Sequence, residues 1–326
     1  MTFMLLLVGL LLLLGGGTCL VKGASAIATH YGISPLVIGL TVVAFGTSAP
    51  ELVVNVVGAF RGETELAFGN VTGSNLANIG LVLATAAIFR PLTIEGQIVR
   101  RELPLLLLGT TILLIMALDR PLSGLDPILT RSDGVILLLI FSIFIYMTIS
   151  DFLFQKRQDR LMENILEMEE MLPKPMARGV MVNWVFVLAG IIALTAGGQL
   201  TIIHGAELAE IMGVEQVIIG MAVVAIGTSM PEFVTSIIAA LNKESDLCVG
   251  NVVGSNIFNG LVVLPIAALV RPLPIPNGGL LDVAMSLVFA AVIILVFFFG
   301  KAHMNRKVGA ALLLAYLAYM IMRATS

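Results

Sequence analysis

Apolar runs of membrane-crossing length recur along nearly the whole chain, and this constrains its fold more than any other feature. They lie near 4–21, 34–60, 67–89, 103–118, 134–154, 183–203, 215–241, 248–270, 280–299 and 308–322. A hydrocarbon core of about 30 Å needs roughly 20 helical residues, so these read as about ten spans. Only 12% of residues are charged, 58% are hydrophobic, and the mean hydropathy is +1.04. Alternating strand patterning is absent, so the spans are expected to be helices, which satisfy their own backbone groups in lipid. The first run lacks a basic segment ahead of it and is read as a helix, not a secretory leader. Cys19 and Cys248 are far apart in sequence, and no disulfide is expected.

The chain also copies itself. Residues 33–92 align without gaps onto 214–273 at a constant offset of 181, and close to half of the aligned positions are identical. GTSAPE matches GTSMPE, GNVTGSNLAN matches GNVVGSNIFN, and both copies end in Arg-Pro-Leu. Chance likeness between apolar helices would match Leu with Val, not Gly, Thr, Ser, Pro, Glu and Asn in register. Each copy holds about five spans. An odd number inverts the second copy, and inverted repeats typify secondary transporters with a site at the membrane midplane. The expected architecture is therefore an all-α polytopic membrane protein with about ten transmembrane helices in two inverted five-helix repeats. The first repeat covers 1–154, a charged linker 155–182, and the second repeat 183–326. Most Lys and Arg residues fall on one side: Lys22, Arg90, Arg100, Arg101, the bases of 155–182, Lys243, Lys301, Arg306 and Lys307. The positive-inside rule places that side in the cytoplasm, with both termini outside.

The two motifs carry the chemistry. Pro50 removes a backbone donor, so the helix should break near 45–48, and Gly46 permits the unusual backbone. Carbonyls of Ala44 to Thr47 would then be free to face a ligand, beside the hydroxyls of Thr47 and Ser48 and the carboxylate of Glu51. The second copy repeats this with Ala225, Gly227, Thr228, Ser229, Pro231 and Glu232. In GNVTGSNLAN, Ser74 and Asn78 share a helical face, and Gly69 and Gly73 allow close helix approach. Asn75 points elsewhere and is expected to cap or pack. The counterparts are Ser255, Asn259, Gly250, Gly254 and Asn256. Asn70-Val71-Thr72 spells a glycosylation sequon, which its membrane setting and the missing Thr after Asn251 argue against. His30, His204 and His303 are expected at helix ends, near the membrane interface.

These groups are all oxygen ligands, which suits a hard cation such as Ca²⁺ or Na⁺ and not Zn²⁺ or copper. Two buried carboxylates are costly unless compensated, and one Ca²⁺, two Na⁺ or two protons would neutralise them. A purely structural role is disfavoured, because no Lys or Arg lies inside the motif-bearing helices. A channel would need a continuous pore and usually a symmetric oligomer. An intramembrane hydrolase would leave the Asn and Ser groups without a role.

The motif pair resembles the α-repeats of the Ca²⁺:cation antiporter superfamily, most closely its prokaryotic sodium/calcium exchangers. The resemblance implies secondary active antiport of Ca²⁺ against Na⁺ by alternating access, with no enzymatic activity and no cofactor. By position it implies Glu51 and Glu232 as central Ca²⁺ ligands, with the main-chain carbonyls of Thr47 and Thr228. It further implies that Ser48, Ser229, Ser74, Ser255 and the carbonyls of Ala44 and Ala225 line flanking Na⁺ sites, with Asn78 and Asn259 completing the centre. The first helix of each repeat would slide past a fixed core. Some relatives, including those that also carry K⁺, have an acidic residue where Asn259 stands, which argues against K⁺ co-transport here. The proton-coupled branch shares the layout, so H⁺ is the alternative counter-ion. The expected setting is the plasma (cell inner) membrane, with a monomer, the lipid bilayer as partner and no nucleic acid.

Overall fold

A computed structural model describes residues 1–94, 101–119, 124, 126–166, 179–212, 228–300 and 302–325, with only the backbone described over 151–166. Among these residues the chain is mostly helical. It opens with α1 (Thr2–Tyr31). A broken segment follows, made of α2 (Pro35–Ile38), a π-helical turn, α3 (Ala44–Thr47) and α4 (Ala49–Arg61). Next come α5 (Thr64–Ala77), α6 (Ala84–Phe89), α7 (Leu103–Met116) and α8 (Arg131–Leu166). The later part holds α9 (Val180–Ile211), α10 (Met230–Leu241), α11 (Ser245–Phe258) and α12 (Leu264–Val270). It ends with α13 (Gly279–Phe299) and α14 (Arg306–Thr325).

Seven described helices are long and apolar enough to cross a membrane, or eight counting Pro35–Thr47 with Ala49–Arg61 as one bent span. α7 and α10 are shorter apolar helices. Each follows a stretch outside the described residues, 95–100 and 213–227.

Element ends follow local chemistry. Gly32 closes α1 at φ 64°, and Gly62 closes α4 at φ 86°, both left-handed. Lys243, the counterpart of Gly62, takes the same sign at φ 70°, so the turn geometry is kept without glycine. Ser34 caps α2, accepting from the Leu36 N–H at 3.3 Å, with Pro35 at the first position. Thr130 and Asp133 form a capping box at the start of α8. The last carbonyls of α12 accept from Arg131, and that of Phe89 in α6 accepts from Arg306. Guanidinium groups suit these electronegative helix ends.

α1 and α9 pack antiparallel along their length. Gly9, Gly16 and Gly23 recur every seven residues on α1 and face Thr201, Leu194 and Asn183 of α9 in that order. Gly190 and Gly197 answer from α9: a Cβ on Gly190 would lie 2.7 Å from the Leu20 nitrogen, and one on Gly197 would lie 2.8 Å from the Gly9 carbonyl oxygen. Glycine at these positions brings the two backbones into contact, the usual way helices associate where lipid removes the hydrophobic drive.

Several expectations need correction. Lys22 was assigned to a loop but lies within α1. The linker 155–182 is helical at its start, because α8 continues to Leu166, while 167–178 lie outside the described residues. The Arg-Pro-Leu ends lead into strands that the sequence did not reveal. β1 (Leu92–Thr93) pairs antiparallel with β4 (His303–Met304), and β2 (Ile128–Leu129) with β3 (Leu273–Pro274). His303 thus sits in a strand, 3.0 Å from the Thr93 hydroxyl, and His204 lies two turns inside α9, paired with Glu207. The expected close approach at Gly250 and Gly254 is present: Cβ atoms there would meet the Leu36 and Leu40 carbonyl oxygens at 2.8 and 2.7 Å. Gly69 and Gly73 meet nothing within 4 Å among the described residues, since the counterparts of Leu36 and Leu40 fall within 213–227.

The glycine seam yields a test. Gly190→Val places a branched side chain against the α1 backbone and should cost at least about 1–3 kcal/mol, the usual range for overpacking. Thermal unfolding in detergent reports it as a lowered Tm, whereas Gly15→Val, at a position with nothing within 4 Å, should leave Tm nearly unchanged.

Candidate functional site

The break in the first motif falls at Ser48, whose φ −89° and ψ 6° leave the helical region and turn the two segments by 44°. Pro50 lacks the N–H that would have met the Gly46 carbonyl, so the helix restarts there instead of continuing. Gly46 leaves room for Ile191 of α9, whose side-chain end a Cβ there would displace. In the second motif Ser229 has φ −86° and ψ 4°, and Pro231 and Glu232 occupy the first turn of α10. The same serine backbone geometry thus precedes Glu51 and Glu232, which stand in the first turns of α4 and α10, where a helix N-terminus favours negative charge. Ala225 and Gly227 lie outside the described residues.

The other motif supplies the opposing wall. α5 and α11 run as α-helix to Asn78 and Asn259, where each passes into a π-helical turn. Such turns often mark functional positions. The sequence did not reveal them, because a π turn adds one residue without a composition signature.

Bonds between the copies draw the four segments together. The Ser48 hydroxyl donates to Glu232 Oε1 at 2.8 Å. Thr47 donates to Asn251 Oδ1 at 3.2 Å, and its counterpart Thr228 donates to Asn70 Oδ1 at 3.1 Å. The Ser74 and Thr228 hydroxyls lie 3.4 Å apart. Asn78 donates through Nδ2 to Asn256 Oδ1 at 2.9 Å, and Asn256 donates to the Asn75 carbonyl at 3.1 Å. Sequence reasoning considered Asn70 only as a sequon and gave Asn251 no role. Their place in GNV, duplicated in both copies, was the available signal.

Glu51 and Glu232 are both 0% exposed and close enough for their charges to interact. Both carboxylate oxygens of Glu51 and Oε2 of Glu232 have no hydrogen-bond partner among the described residues. The Ser229 and Ser255 hydroxyls, the Asn78 amide oxygen and both polar atoms of the Asn259 side chain are likewise buried and unpartnered. Buried polar groups are rarely left so, and a cluster rich in oxygen acceptors with no base near it has the composition of a hard-cation site. Among the described residues no three of His, Cys, Asp and Glu gather at one place. Carboxamides and hydroxyls make up the rest of this set. The expected row of free carbonyls from Ala44 to Thr47 is narrower than foreseen. The Ala44 carbonyl already accepts from the Ser48 N–H at 3.0 Å and the Thr47 hydroxyl at 3.3 Å.

A cavity of about 230 Å³ reaches toward this cluster from one end of the molecule. Exposed Glu63 and Leu66 lie near the α4–α5 turn, and Asn55, Asn70 and Thr228 line its inner part.

The model of the family described as sodium/calcium exchanger protein matches residues 1–150 and 182–325. The inner membrane protein YrbG of Escherichia coli (strain K12) is 32% identical, over 98% of this chain and 95% of its own. Sodium/calcium exchanger MaX1 of Methanosarcina acetivorans is 28% identical, over 98% of this chain and 97% of its own. The solved structure of the sodium-calcium exchanger NCX_Mj, soaked with zero Na⁺ and Ca²⁺, superposes with a TM-score of 0.83 at 26% identity, covering 98% of both chains.

The unpartnered carboxylate makes a binding prediction. Ca²⁺ at a hundred times its Kd should stabilise the native protein by about 2.7 kcal/mol and raise its Tm accordingly. Glu51→Gln should abolish that rise while being at least as stable as the parent in cation-poor buffer, since it removes a buried charge. A calcium-dependent Tm shift that survives in Glu51→Gln would place the site elsewhere.

Proposed function

The chain belongs to the sodium/calcium exchanger protein family, and on that premise we propose that it is a secondary active antiporter exchanging Ca²⁺ for Na⁺ by alternating access. The observation that carries this reading is the pair of fully buried glutamates, one from each copy, whose carboxylates keep three oxygens without a hydrogen-bond partner among the described residues. Their combined charge of −2 is neutralised by one Ca²⁺ or by two Na⁺. The loaded site can change sides, and the bare site pays the cost of uncompensated burial. That alternation of cargo is the physical basis of exchange, and no covalent chemistry is needed.

Within this reading Glu51 and Glu232 are the central ligands, supported by the carbonyls of Thr47 and Thr228 and by Asn78 and Asn259. Ser48, Ser74, Ser229 and Ser255, with the carbonyls of Ala44 and Ala225, provide the flanking positions for Na⁺. Two asparagines where a third carboxylate could stand keep the charge at −2, which disfavours a further monovalent cargo such as K⁺. The architecture we propose is ten helices in two inverted repeats, 1–154 and 183–326. The antiparallel α1–α9 pair and the matching backbone geometry of Ser48 and Ser229 support it. Both termini then lie outside and the 155–182 linker in the cytoplasm, with the working unit a monomer in the cell membrane.

The test is radiolabelled Ca²⁺ uptake into proteoliposomes loaded with Na⁺, K⁺ or a pH gradient. Uptake with internal Na⁺ alone is expected. Uptake with the pH gradient alone would assign H⁺ as counter-ion, and no uptake under any gradient would remove Ca²⁺ as cargo. Glu51→Gln and Glu232→Gln should each reduce Ca²⁺ flux to background, because either leaves one anionic ligand. Flux should also fall in acid, as protons compete with Ca²⁺ for the carboxylates.

A further inference from the structure

Asn78 and Asn259 are counterparts at the offset of 181, and each opens a π-helical turn, yet their carboxamides are held differently. The two ends of a carboxamide differ in kind. Oδ1 accepts hydrogen bonds and can bind a hard cation, whereas the Nδ2 group only donates. An asparagine is therefore a cation ligand only when its oxygen is the atom presented to the ion.

For Asn78 the direction is fixed by a chain of bonds that starts at a main-chain carbonyl. The Asn75 carbonyl can only accept, so the atom of Asn256 that meets it at 3.1 Å is Nδ2. That leaves Asn256 Oδ1 to accept from Asn78 Nδ2 at 2.9 Å. With its NH₂ group engaged by Asn256, Asn78 keeps Oδ1 as a buried oxygen without a hydrogen-bond partner among the described residues. Asn256 and Asn78 are 3% and 1% exposed, so water competes poorly for either bond. Each carboxamide could reverse only if the one before it did, and the carbonyl at the start of the chain cannot.

The counterpart chain is not made. In the same register Asn75 answers to Asn256, and Asn259 to Asn78. Asn75 Oδ1 and both polar atoms of the Asn259 side chain are buried without a partner among the described residues. The copies do not differ in this way throughout, since the Thr47–Asn251 bond and its counterpart Thr228–Asn70 are both present. The difference is specific to the asparagines that open the π-helical turns.

We propose that Asn256 is a positioning residue for the cation site, holding the Asn78 carboxamide with its oxygen, not its NH₂ group, presented to the ion. The inference rests on the exchanger reading, in which Asn78 and Asn259 are both ligands, and it makes the two unequal. Asn78 is set before the ion arrives, and Asn259 is ordered by it. A ligand group ordered in advance binds without that ordering cost. Asn256 acts through Asn78, since both ends of its own carboxamide are engaged.

The test is Ca²⁺ affinity, measured by titration calorimetry on the detergent-solubilised full chain in Na⁺-poor buffer. Asn256→Ala should weaken binding by roughly three- to tenfold, the range for losing one hydrogen bond of ordinary net strength. Asn256→Leu keeps the side-chain volume, should do the same, and carries the test if the Ala variant fails to fold. Asn78→Ala also weakens binding. Adding Asn256→Ala to it should change Kd by less than about twofold, because no carboxamide remains to be oriented. Added to Asn259→Ala, the Asn256 substitution should keep its full effect. A bond that merely holds α5 to α11 would lower Tm without producing this pattern. Independent effects of Asn256→Ala and Asn78→Ala overturn the proposal. So does equal coupling to Asn259→Ala, the mark of a centre loosened as a whole, and so does an unchanged Kd in the Asn256 variants. A parent that binds no Ca²⁺ overturns the exchanger reading and this inference with it. A parent that binds and transports Ca²⁺, with independent effects at Asn256 and Asn78, overturns the orientation alone.

Discussion

Two carboxylates held at full burial, without a basic residue to pair with, are the constraint on which the rest of the structure depends. A lone glutamate in such a place is expensive, and two near each other are more so. The surrounding structure is arranged to make that burial tolerable. Each glutamate sits in the first turn of its helix, where the N-terminus favours negative charge, and hydroxyls and carboxamides converge from the facing helices. The long glycine-seamed pair α1–α9 lies against this centre, with Ile191 seated over Gly46.

The breaks themselves are a device for placing irregular backbone at membrane depth. Irregular backbone is acceptable there only where protein buries it or a polar cavity meets it. The first condition holds at Ser48, which is fully buried and whose side chain reaches the glutamate of the other copy. The counterpart contact, from Ser229 to Glu51, is not made: the Ser229 hydroxyl and both Glu51 oxygens are unpartnered among the described residues. One of the two symmetric arrangements is thus satisfied and the other open.

Much of this was legible without coordinates. The duplicated GTS-x-PE signalled the paired breaks, because proline, glycine and a carboxylate together in an apolar run have few other uses. The oxygen-only ligand set followed from residue types alone. What escaped the reading had no composition signature. π-helical turns at Asn78 and Asn259, the short strands after Arg-Pro-Leu, and the role of Asn70 and Asn251 as partners of Thr228 and Thr47 all depend on neighbours distant in sequence. Lys22 was misplaced because α1 continues ten residues past the apolar run that announced it, the extension being held by packing on α9 and capped at Gly32.

The sequence by itself determined that the chain crosses a membrane many times, that it is built from two copies, and which residue types must meet at the centre. Hydrophobic length, repetition in register and ligand chemistry are local properties, written residue by residue. Only the tertiary structure decided how the copies interlock, and which buried oxygens keep a partner and which have none among the described residues. Those outcomes depend on distances between segments roughly 180 residues apart. The offset makes Ser48 and Ser229 equal in sequence register, and packing makes them unequal in space: the first reaches the glutamate of the other copy and the second has no partner among the described residues.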